Sequence, residues 1–442
     1  MAGHPLLQNI VQLCQARRFS DAETACRRLL AAEPDHPQGL LIGGDIALAL
    51  GDKTTGQTRL RRLAARETVN PELRYNAAML LARSGDLNGA AGILRDVAAR
   101  HPDAFPALFD LAQMEEALQR PDAALRAYEG AIAANPGNAG PFTRRAVLLL
   151  QKEFGDPLPI PPDKAQLQSL GQRGRVTMTS LGWNGRFGNQ LLQYACLRAI
   201  GEVHGLAIDA PEWIGRWLFD LSDPMPSTPM PELREAGDNL VQLMMPNDKT
   251  TTAANHDLWG YCCYNSRFYQ PHRNLMRRLF TPGARIRPLA DSAMDKIAAR
   301  GKTLVALHLR RGDFGYGRFW IAPETWYLDW LQNLWPQLDR PVLYIASDDD
   351  QIFRKFAAYS PVTATDLGAP IPGAEFYYDF HVLTRADHLA ISNSSFSFVA
   401  GLLNAHAQSF LRPDPANGRL DAYDPWASDV LLPNLDSPTT ER

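Results

Sequence analysis

The chain has few cysteines, no long apolar run and no dominant sign of charge, and each lack excludes something. Its five cysteines, Cys14, Cys26, Cys196, Cys262 and Cys263, form an odd set with no CxxC pair. Such a set suits neither a disulfide framework nor a structural zinc site, so a reduced compartment is expected. No run of 18 apolar residues exists; the best candidate, LLIGGDIALAL at 40–50, is short and broken by Asp45, so no transmembrane segment is expected. The opening MAGHPLLQ lacks a basic region followed by an apolar stretch, which argues against a signal peptide and for a cytoplasmic protein. A formal net charge of −3 offers no basic excess to suit nucleic acid or an anionic membrane. What is present is ordinary for a soluble protein, with 45% hydrophobic and 21% charged residues. At 442 residues the chain exceeds one hydrophobic core and should divide into two or three domains.

The first third repeats itself every 34 residues. Pro34, Pro102 and Pro136 keep this period, with Thr68 in the empty slot. Small residues recur at Ala22, Gly56, Ala90 and Ala124, and a second column on the same period runs Ile10, Gly44, Ala78 and Ala112. Larger ones recur at Cys26, Leu60, Leu94 and Tyr128; Leu6, Leu40 and Leu108 form a further column, with Arg74 as its exception. These columns describe stacked helical hairpins. Small residues let paired helices approach, large ones fill the gap to the next hairpin, and proline stops the second helix of each unit. Gly51-Asp52 and Gly85-Asp86 sit where the short turn within a hairpin needs glycine. The pattern closely resembles the tetratricopeptide repeat, in four units, with Pro141–Gln151 as a closing helix. Such an array implies a concave surface for a peptide or another protein. EFGDPLPIPPDK (153–164) then reads as a proline-rich, semi-extended linker.

Beyond the linker the period changes. RVTMTSLGW (175–183), TLVALHL (303–309) and PVLYIAS (341–347) read as strands, and NQLLQYACLRAIGEVHG (189–205) reads as a helix. HLAISNSSFSFVAGLLNAH (388–406) reads as strand, polar turn and helix. Strands alternating with helices predict doubly wound parallel sheets, in which ligands bind beyond the carboxyl ends of the strands. Four polar clusters fall at those ends. His308-Leu309-Arg310-Arg311-Gly312-Asp313 offers two guanidinium groups suited to phosphate oxygens, a turn at Gly312 and a carboxylate at Asp313 to hold an arginine. Asn393-Ser394-Ser395 precedes a helix, as an N-cap or as an anion site. Gly185-Arg186-Phe187-Gly188-Asn189-Gln190 opens another helix, and the acidic Asp348-Asp349-Asp350 follows a strand. The DxD spacing could hold a divalent metal against a pyrophosphate or simply start a helix. With arginines available to neutralise phosphates, no metal is expected.

In order, GRFGNQLLQYA (185–195), GYCCYNSRFY (260–269), HLRRGDF (308–314), ASDD (346–349) and DHLAISNSSFSFVAGLLN (387–404) resemble the α1,2-fucosyltransferase family, glycosyltransferase family 11. The resemblance implies a GT-B fold with two Rossmann-like lobes, inverting transfer of fucose from GDP-fucose, and no cofactor. It implies catalytic roles for Arg310, Asp313 and His308, with Arg310 neutralising the leaving GDP and Asp313 or His308 as possible bases. It places Arg310, Arg311, Asn393, Ser394, Ser395, Phe396 and Asp348 at the nucleotide, and Gly185, Arg186, Asn189 and Gln190 at the cleft. Where the family carries a tryptophan pair after NSSFS, this chain has Phe398 and Val399.

The expected division is therefore a tetratricopeptide-like array over 5–151, a linker over 152–174, an acceptor-side lobe over 175–298, a nucleotide-sugar lobe over 299–415 and a tail over 416–442. The expected partners are a GDP-sugar donor, a glycan acceptor of surface polysaccharide or lipopolysaccharide type, and a protein bound by the array. Two other readings stand beside this one: a protein O-glycosyltransferase guided by the repeats, and a scaffold whose transferase domain has degenerated. GDP-mannose remains an alternative donor. Cys262 and Cys263 are expected to be core residues.

Overall fold

Proline and glycine set many of the ends of the first eight helices. These are α1 (Pro5–Gln15), α2 (Phe19–Ala32), α3 (Pro37–Ala49), α4 (Lys53–Ala64), α5 (Pro71–Arg83), α6 (Leu87–Arg100), α7 (Phe105–Ala117) and α8 (Pro121–Ala134). They form four hairpins, with Arg17 and Gln119 taking positive φ in the turns of the first and the fourth. Pro34, Pro102 and Pro136 each lie just after the second helix of a hairpin. Gly51 and Gly85 take φ of +83° and +91°, and Asp52 and Asp86 then cap α4 and α6 by accepting from Thr55 and Gly89 amides. The repeat columns are the core: Ala22, Cys26, Leu60, Ala78, Ala90, Leu94, Ala112, Ala124 and Tyr128 are fully buried. Arg74, the charged exception in its column, is also buried and pairs with Asp96. A groove of about 500 Å³ is lined by Val11, Phe19, Leu41, Ile46, Met79 and Leu80, chiefly from the first helices of successive hairpins.

The computed structural model describes residues 4–66, 69–161, 164, 173–245 and 253–433. Thr68 and part of the 152–174 linker lie outside the described residues. The chain divides into two compact units between Pro141 and Phe142, ahead of the boundary expected at 151/152. The reason lies in α9 (Ala139–Phe154), whose Ala146, Val147 and Leu150 join the same buried cluster as Val176 and Leu304 of the second unit. The described part of the proline-rich stretch is tied down. Gly155 and Leu158 carbonyls accept from the Trp217 indole (2.9 Å) and the Ser222 hydroxyl (2.6 Å).

The second unit is mixed α/β with two sheets. Its first part runs β1 (Arg175–Thr177), α10 (Phe187–His204), β2 (Ala207–Asp209), α11 (Gly215–Leu218), β3 (Glu232–Arg234), α12 (Asn239–Met244) and β4 (His256–Trp259). Next come α13 (Arg273–Leu279), α14 (Arg287–Ala298), β5 (Thr303–Leu309), α15 (Glu324–Leu334) and β6 (Pro341–Ser347). The chain ends with α16 (Ala364–Leu367), α17 (Tyr377–Leu383), β7 (His388–Ala390), α18 (Ser395–Leu403), β8 (Ser409–Asp414) and β9 (Arg419–Ala422). The four-stranded sheet has the order β2-β1-β4-β3, all parallel. The five-stranded sheet has the order β6-β5-β7-β8-β9, parallel except for β9. That last strand lies within the segment expected to be a tail. Strand β1 is shorter than the sequence suggests, because after Thr177 the chain turns, with Leu181 and Trp183 amides bonding to the Met178 and Ser180 carbonyls.

Strand β5 shows why its sequence is a continuous apolar run. Leu304 and Ala306 face the large core, whereas Val305, Leu307 and Leu309 face a second cluster with Tyr327, Leu331, Leu343 and Ile345. A strand covered on both faces has no polar side to show. Polar residues therefore begin where β5 ends.

Candidate active site

Strands β5, β6 and β7 lie side by side and parallel, so their following loops gather at one edge. Leu309 pairs with Ser347, and Leu307 pairs with Ala390. Three of the four polar clusters thus arise from neighbouring strand ends. The fourth arrives through a close approach of two helices. A Cβ added to Gly188 would lie 2.5 Å from the Phe396 amide nitrogen and 2.5 Å from the Ser395 carbonyl carbon. Glycine is the residue that lets the first turn of α10 reach the first turn of α18. The two N-termini then lie together, and each leaves backbone N–H groups beyond its last intrahelical bond.

The arginines are held by carboxylates on two loops, those that follow β5 and β6. Arg310 donates to Asp313 (2.5 Å) and pairs with Asp348 (2.8 Å). The second Asp348 oxygen accepts the Arg311 amide at 2.7 Å. A Cβ on Gly312 would lie 2.3 Å from the Asp348 carboxylate, so this residue closes the RRGD turn against β6. Arg186 reaches the other oxygen of Asp313 at 3.3 Å and stacks over the Phe142 ring at 4.3 Å. Burial lowers the Arg186 pKa, with Asp313 opposing that shift. Arg311 is mostly buried, 4.0 Å from Glu324, with one terminal nitrogen lacking a hydrogen-bond partner.

His308 is buried, with Nδ1 sharing a hydrogen bond with the Ser392 hydroxyl (2.8 Å) and its ring beside Phe396. Burial, reinforced by Arg310 and Arg311, pushes its pKa down to about 3. The imidazole is therefore neutral and only weakly basic at pH 7, which fits a group that positions the strand end better than a proton acceptor. Asp313, the other base considered, lies on the surface between Arg310 and Arg186.

The remaining expected residues divide into exposed edge and inner framework. Ser394 caps α18 by accepting from the Phe396 amide, and Ser395 begins the helix, half-buried. Phe396 packs among Phe187, Phe376 and Phe380. Gly185 takes φ of +84° beside Asn189, whose side-chain Oδ1 lies 3.8 Å from the Cys263 sulfur. Asn393 is buried and bonded at both ends, donating to the Arg318 carbonyl (2.8 Å) and accepting from the Leu432 amide (2.7 Å). Gln190 is buried as well, donating to Thr143 of α9 (2.9 Å). These two amides, expected at the nucleotide and the cleft, join pieces of the framework.

Each member of the acidic triplet has a local place. Asp348 holds the arginine turn, Asp349 caps the 3-10 helix Asp350–Tyr359 through the Gln351 amide (2.9 Å), and Asp350 begins that helix. Among the described residues no three His, Cys, Asp or Glu side chains come together as a metal-ligand group. Cys262 is buried in the core and Cys263 packs against it. Phe398 and Val399 are also fully buried.

Sequence reasoning did not identify Ser392 or Thr143 as supports of the site. Ser392 stands one residue before the NSS cluster and had a local signal; Thr143 acts across 47 positions and had none.

Comparison with known proteins bears on both units. A family profile described as tetratricopeptide repeat matches residues 13–55, 41–98 and 75–139. Residues 13–139 are tetratricopeptide repeats. Solved structures similar to the chain include MamA (19% identity, TM-score 0.29, covering 33% of this chain and 84% of that one). YrrB, titled a TPR protein with an unusual peptide-binding site, matches at 15% identity and a TM-score of 0.29, covering 34% of this chain and 77% of that one. Among curated relatives, galactoside α-(1,2)-fucosyltransferase 1 of Homo sapiens is 26% identical, covering 52% of this chain and 68% of the relative. The fucosyltransferase SEC1 of Bos taurus is 27% identical over 51% of this chain and 64% of its own. Galactoside α-(1,2)-fucosyltransferase 2 of Oryctolagus cuniculus is 26% identical over 53% and 69%. The chain is thus a distant relative of the α1,2-fucosyltransferases, and its similarity suggests a glycosyltransferase-like function in general terms. No helix among the described residues is long and apolar enough to cross a membrane.

Proposed function

We propose that the protein is an inverting glycosyltransferase of GT-B type that moves fucose from GDP-fucose to a hydroxyl of a glycan acceptor. The observation that carries this reading is the single edge on which Arg310, Arg311 and two helix N-termini meet. Such an edge suits a pyrophosphate, because guanidinium groups donate bidentately and helix N-termini favour negative charge. The distant fucosyltransferase similarity supports fucose as the transferred sugar.

In this reading the acceptor oxygen attacks the anomeric carbon as its bond to GDP breaks. Arg310 meets the charge that develops on the leaving phosphate. It is already oriented by Asp313 and Asp348, so little reorganisation is needed at the moment of transfer. Ser394 and Ser395 stand at the α18 N-terminus, on the same edge. Asp313 is the remaining protein candidate to accept the hydroxyl proton, since His308 is buried, bonded and held neutral. Asp348 serves as a positioning residue.

A panel of sugar nucleotides tests the reading. GDP-fucose should raise the melting temperature of the purified protein and be slowly hydrolysed, with the same result in the presence of EDTA. UDP-sugars should do neither. A response to UDP-sugars, or one abolished by EDTA, would point to another donor chemistry.

A further inference from the structure

Cationic side chains without carboxylate partners gather at a second place in the α/β unit. Between α13, the end of α17 and the turn after α18 lies a pocket of about 180 Å³. Phe280, Tyr377 and Phe380 line it from the core. Arg277, His381, Arg385 and His406 complete it, and among the described residues no aspartate or glutamate lines it. Helix α18 separates this pocket from the arginine edge. The edge meets the helix at Ser394 and Ser395, the pocket meets it at Leu403, and its nine residues span about 12–14 Å. The pocket lies where the chain enters β7 and β8, whereas the edge lies where β5, β6 and β7 end.

The polar groups of this pocket are short of partners. Arg277 donates from Nη2 to the Asn404 carbonyl at 3.4 Å, near the limit for a hydrogen bond, and its Nε is buried with no partner. Burial lowers the Arg277 pKa, and the charge of Arg273, one turn earlier, lowers it further. Arg385 Nη1 lies 3.3 Å from His406 Nε2. Neither Arg277 nor Arg385 pairs with a carboxylate among the described residues. His381 is only 4% exposed and lies beside Tyr377, and among the described residues its ring nitrogens have no hydrogen-bond partner. Burial, reinforced by Arg385 and opposed by Asp291, pushes its pKa down to about 4. It is then neutral at pH 7 and brings one N–H donor. The Thr281 and Thr384 hydroxyls also line the pocket but already donate to the Arg278 (2.9 Å) and His381 (2.6 Å) carbonyls. Asn404 fixes the walls. Its Nδ2 donates to the Leu383 and Ala386 carbonyls, and its Oδ1 accepts from the His406 and Ala407 amides.

We propose that this pocket is a second anion site, built for one phosphate group, either the free ion or the head of a phosphomonoester. Charge-assisted bonds from two guanidinium groups would answer the unpaired cations. The donors come from three separate segments, which suits the oxygens of a tetrahedral ion better than the two coplanar oxygens of a carboxylate. Sites for larger organic ligands run to about 300–1,000 Å³, so a pocket of about 180 Å³ is too small for a whole nucleotide. Arg385 and His406 are exposed, which leaves the rest of an ester in solvent. A phosphate held by Arg277 and Arg385 ties α13 to α17. The site stands apart from the transferase reading and does not depend on it.

Calorimetric titration of the full-length protein at constant ionic strength tests the site. The background is Arg310→Ala, which weakens the arginine edge as a competing phosphate site, and the probes are inorganic phosphate, glycerol 3-phosphate and acetate. Millimolar inorganic phosphate should bind this background and raise its Tm. Adding Arg385→Gln, at an exposed position, should leave Tm in chloride unchanged and weaken phosphate binding at least about 10-fold. Arg385→Lys in its place should recover part of the affinity, because it keeps the charge without the fork. Arg277→Gln together with Arg385→Gln should abolish binding. Equal affinity for glycerol 3-phosphate would assign the site to a monoester, and binding of inorganic phosphate alone would assign it to the free ion. No phosphate binding in the Arg310→Ala background, or binding undiminished by Arg277→Gln with Arg385→Gln, overturns the site. Acetate binding as tightly as phosphate overturns the choice of ligand.

Discussion

His308 and Asp379 are buried groups whose charged forms the fold suppresses, with opposite consequences for pH. His308 is pushed down to about 3, so the stability that its neutral form contributes is complete above its ordinary value of about 6.5. That contribution is lost as pH falls from there towards 3. Asp379 is pushed up to about 7 by burial, with the Tyr344 hydroxyl (2.7 Å) opposing the shift. Here the unfolded chain ionises first, near pH 4, while the folded one stays neutral. Stability is therefore lost as pH rises from about 4 to about 7. Asp379→Asn keeps an acceptor for Tyr344 and removes the titration. It should stabilise the protein by about 1–3 kcal/mol at pH 8 and by nothing measurable at pH 3.5. Chemical denaturation at the two pH values checks this; equal effects at both would contradict the assignment.

Among the elements, the contact between α10 and α18 has the least tolerance. Gly188→Ala would force a Cβ into the Ser395–Phe396 backbone, which cannot swing aside as a side chain can. A loss of about 1–3 kcal/mol or more is expected, together with loss of activity. Gly92→Ala in α6 is the control, because nothing lies within 4 Å of its Cβ. Its expected effect is a gain of about 0.5–1 kcal/mol. Thermal unfolding of both variants decides, and equal Tm values would show that the helices can separate at little cost.

This contact also shows what could be read in advance. The 34-residue columns and the strands 303–309 and 341–347 follow from short-range period, so they were visible from the chain alone. The four polar clusters were visible for the same reason, as breaks in apolar runs. What Gly188 approaches was not visible, because Phe396 lies far along the chain and glycine carries no mark of its partner. Asp348 is similar: its DxD setting suggested either a metal ligand or a helix start. Its place as the clamp on Arg310 and Arg311 depends on β5 and β6 being neighbours. Gln190 and Asn393 drew notice as polar residues in motifs, yet their bonds run to Thr143, Arg318 and Leu432, which no local pattern connects to them.

At the scale of the molecule, a tetratricopeptide array precedes an α/β unit distantly related to fucosyltransferases. The groove lined by Val11, Leu41, Ile46 and Met79, with Asp45, Asn76 and Arg83 among its polar lining, lies wholly within the array. The chemistry proposed for the second unit stands on Arg310, and removing a guanidinium from a bound phosphate should cost about 2–5 kcal/mol. Release of GDP from GDP-fucose, with lactose as acceptor, should therefore fall by at least about 30-fold in Arg310→Ala. Arg310 is partly buried, but its partners Asp313 and Asp348 both keep access to solvent, so a Tm close to that of the wild type is expected. Arg310→Lys should recover only part of the rate, because lysine lacks the bidentate fork. GDP release by wild-type protein that disappears in Arg310→Ala at unchanged Tm is the result the account predicts. Undiminished release in that variant, or no release from GDP-fucose by the wild type, would contradict it.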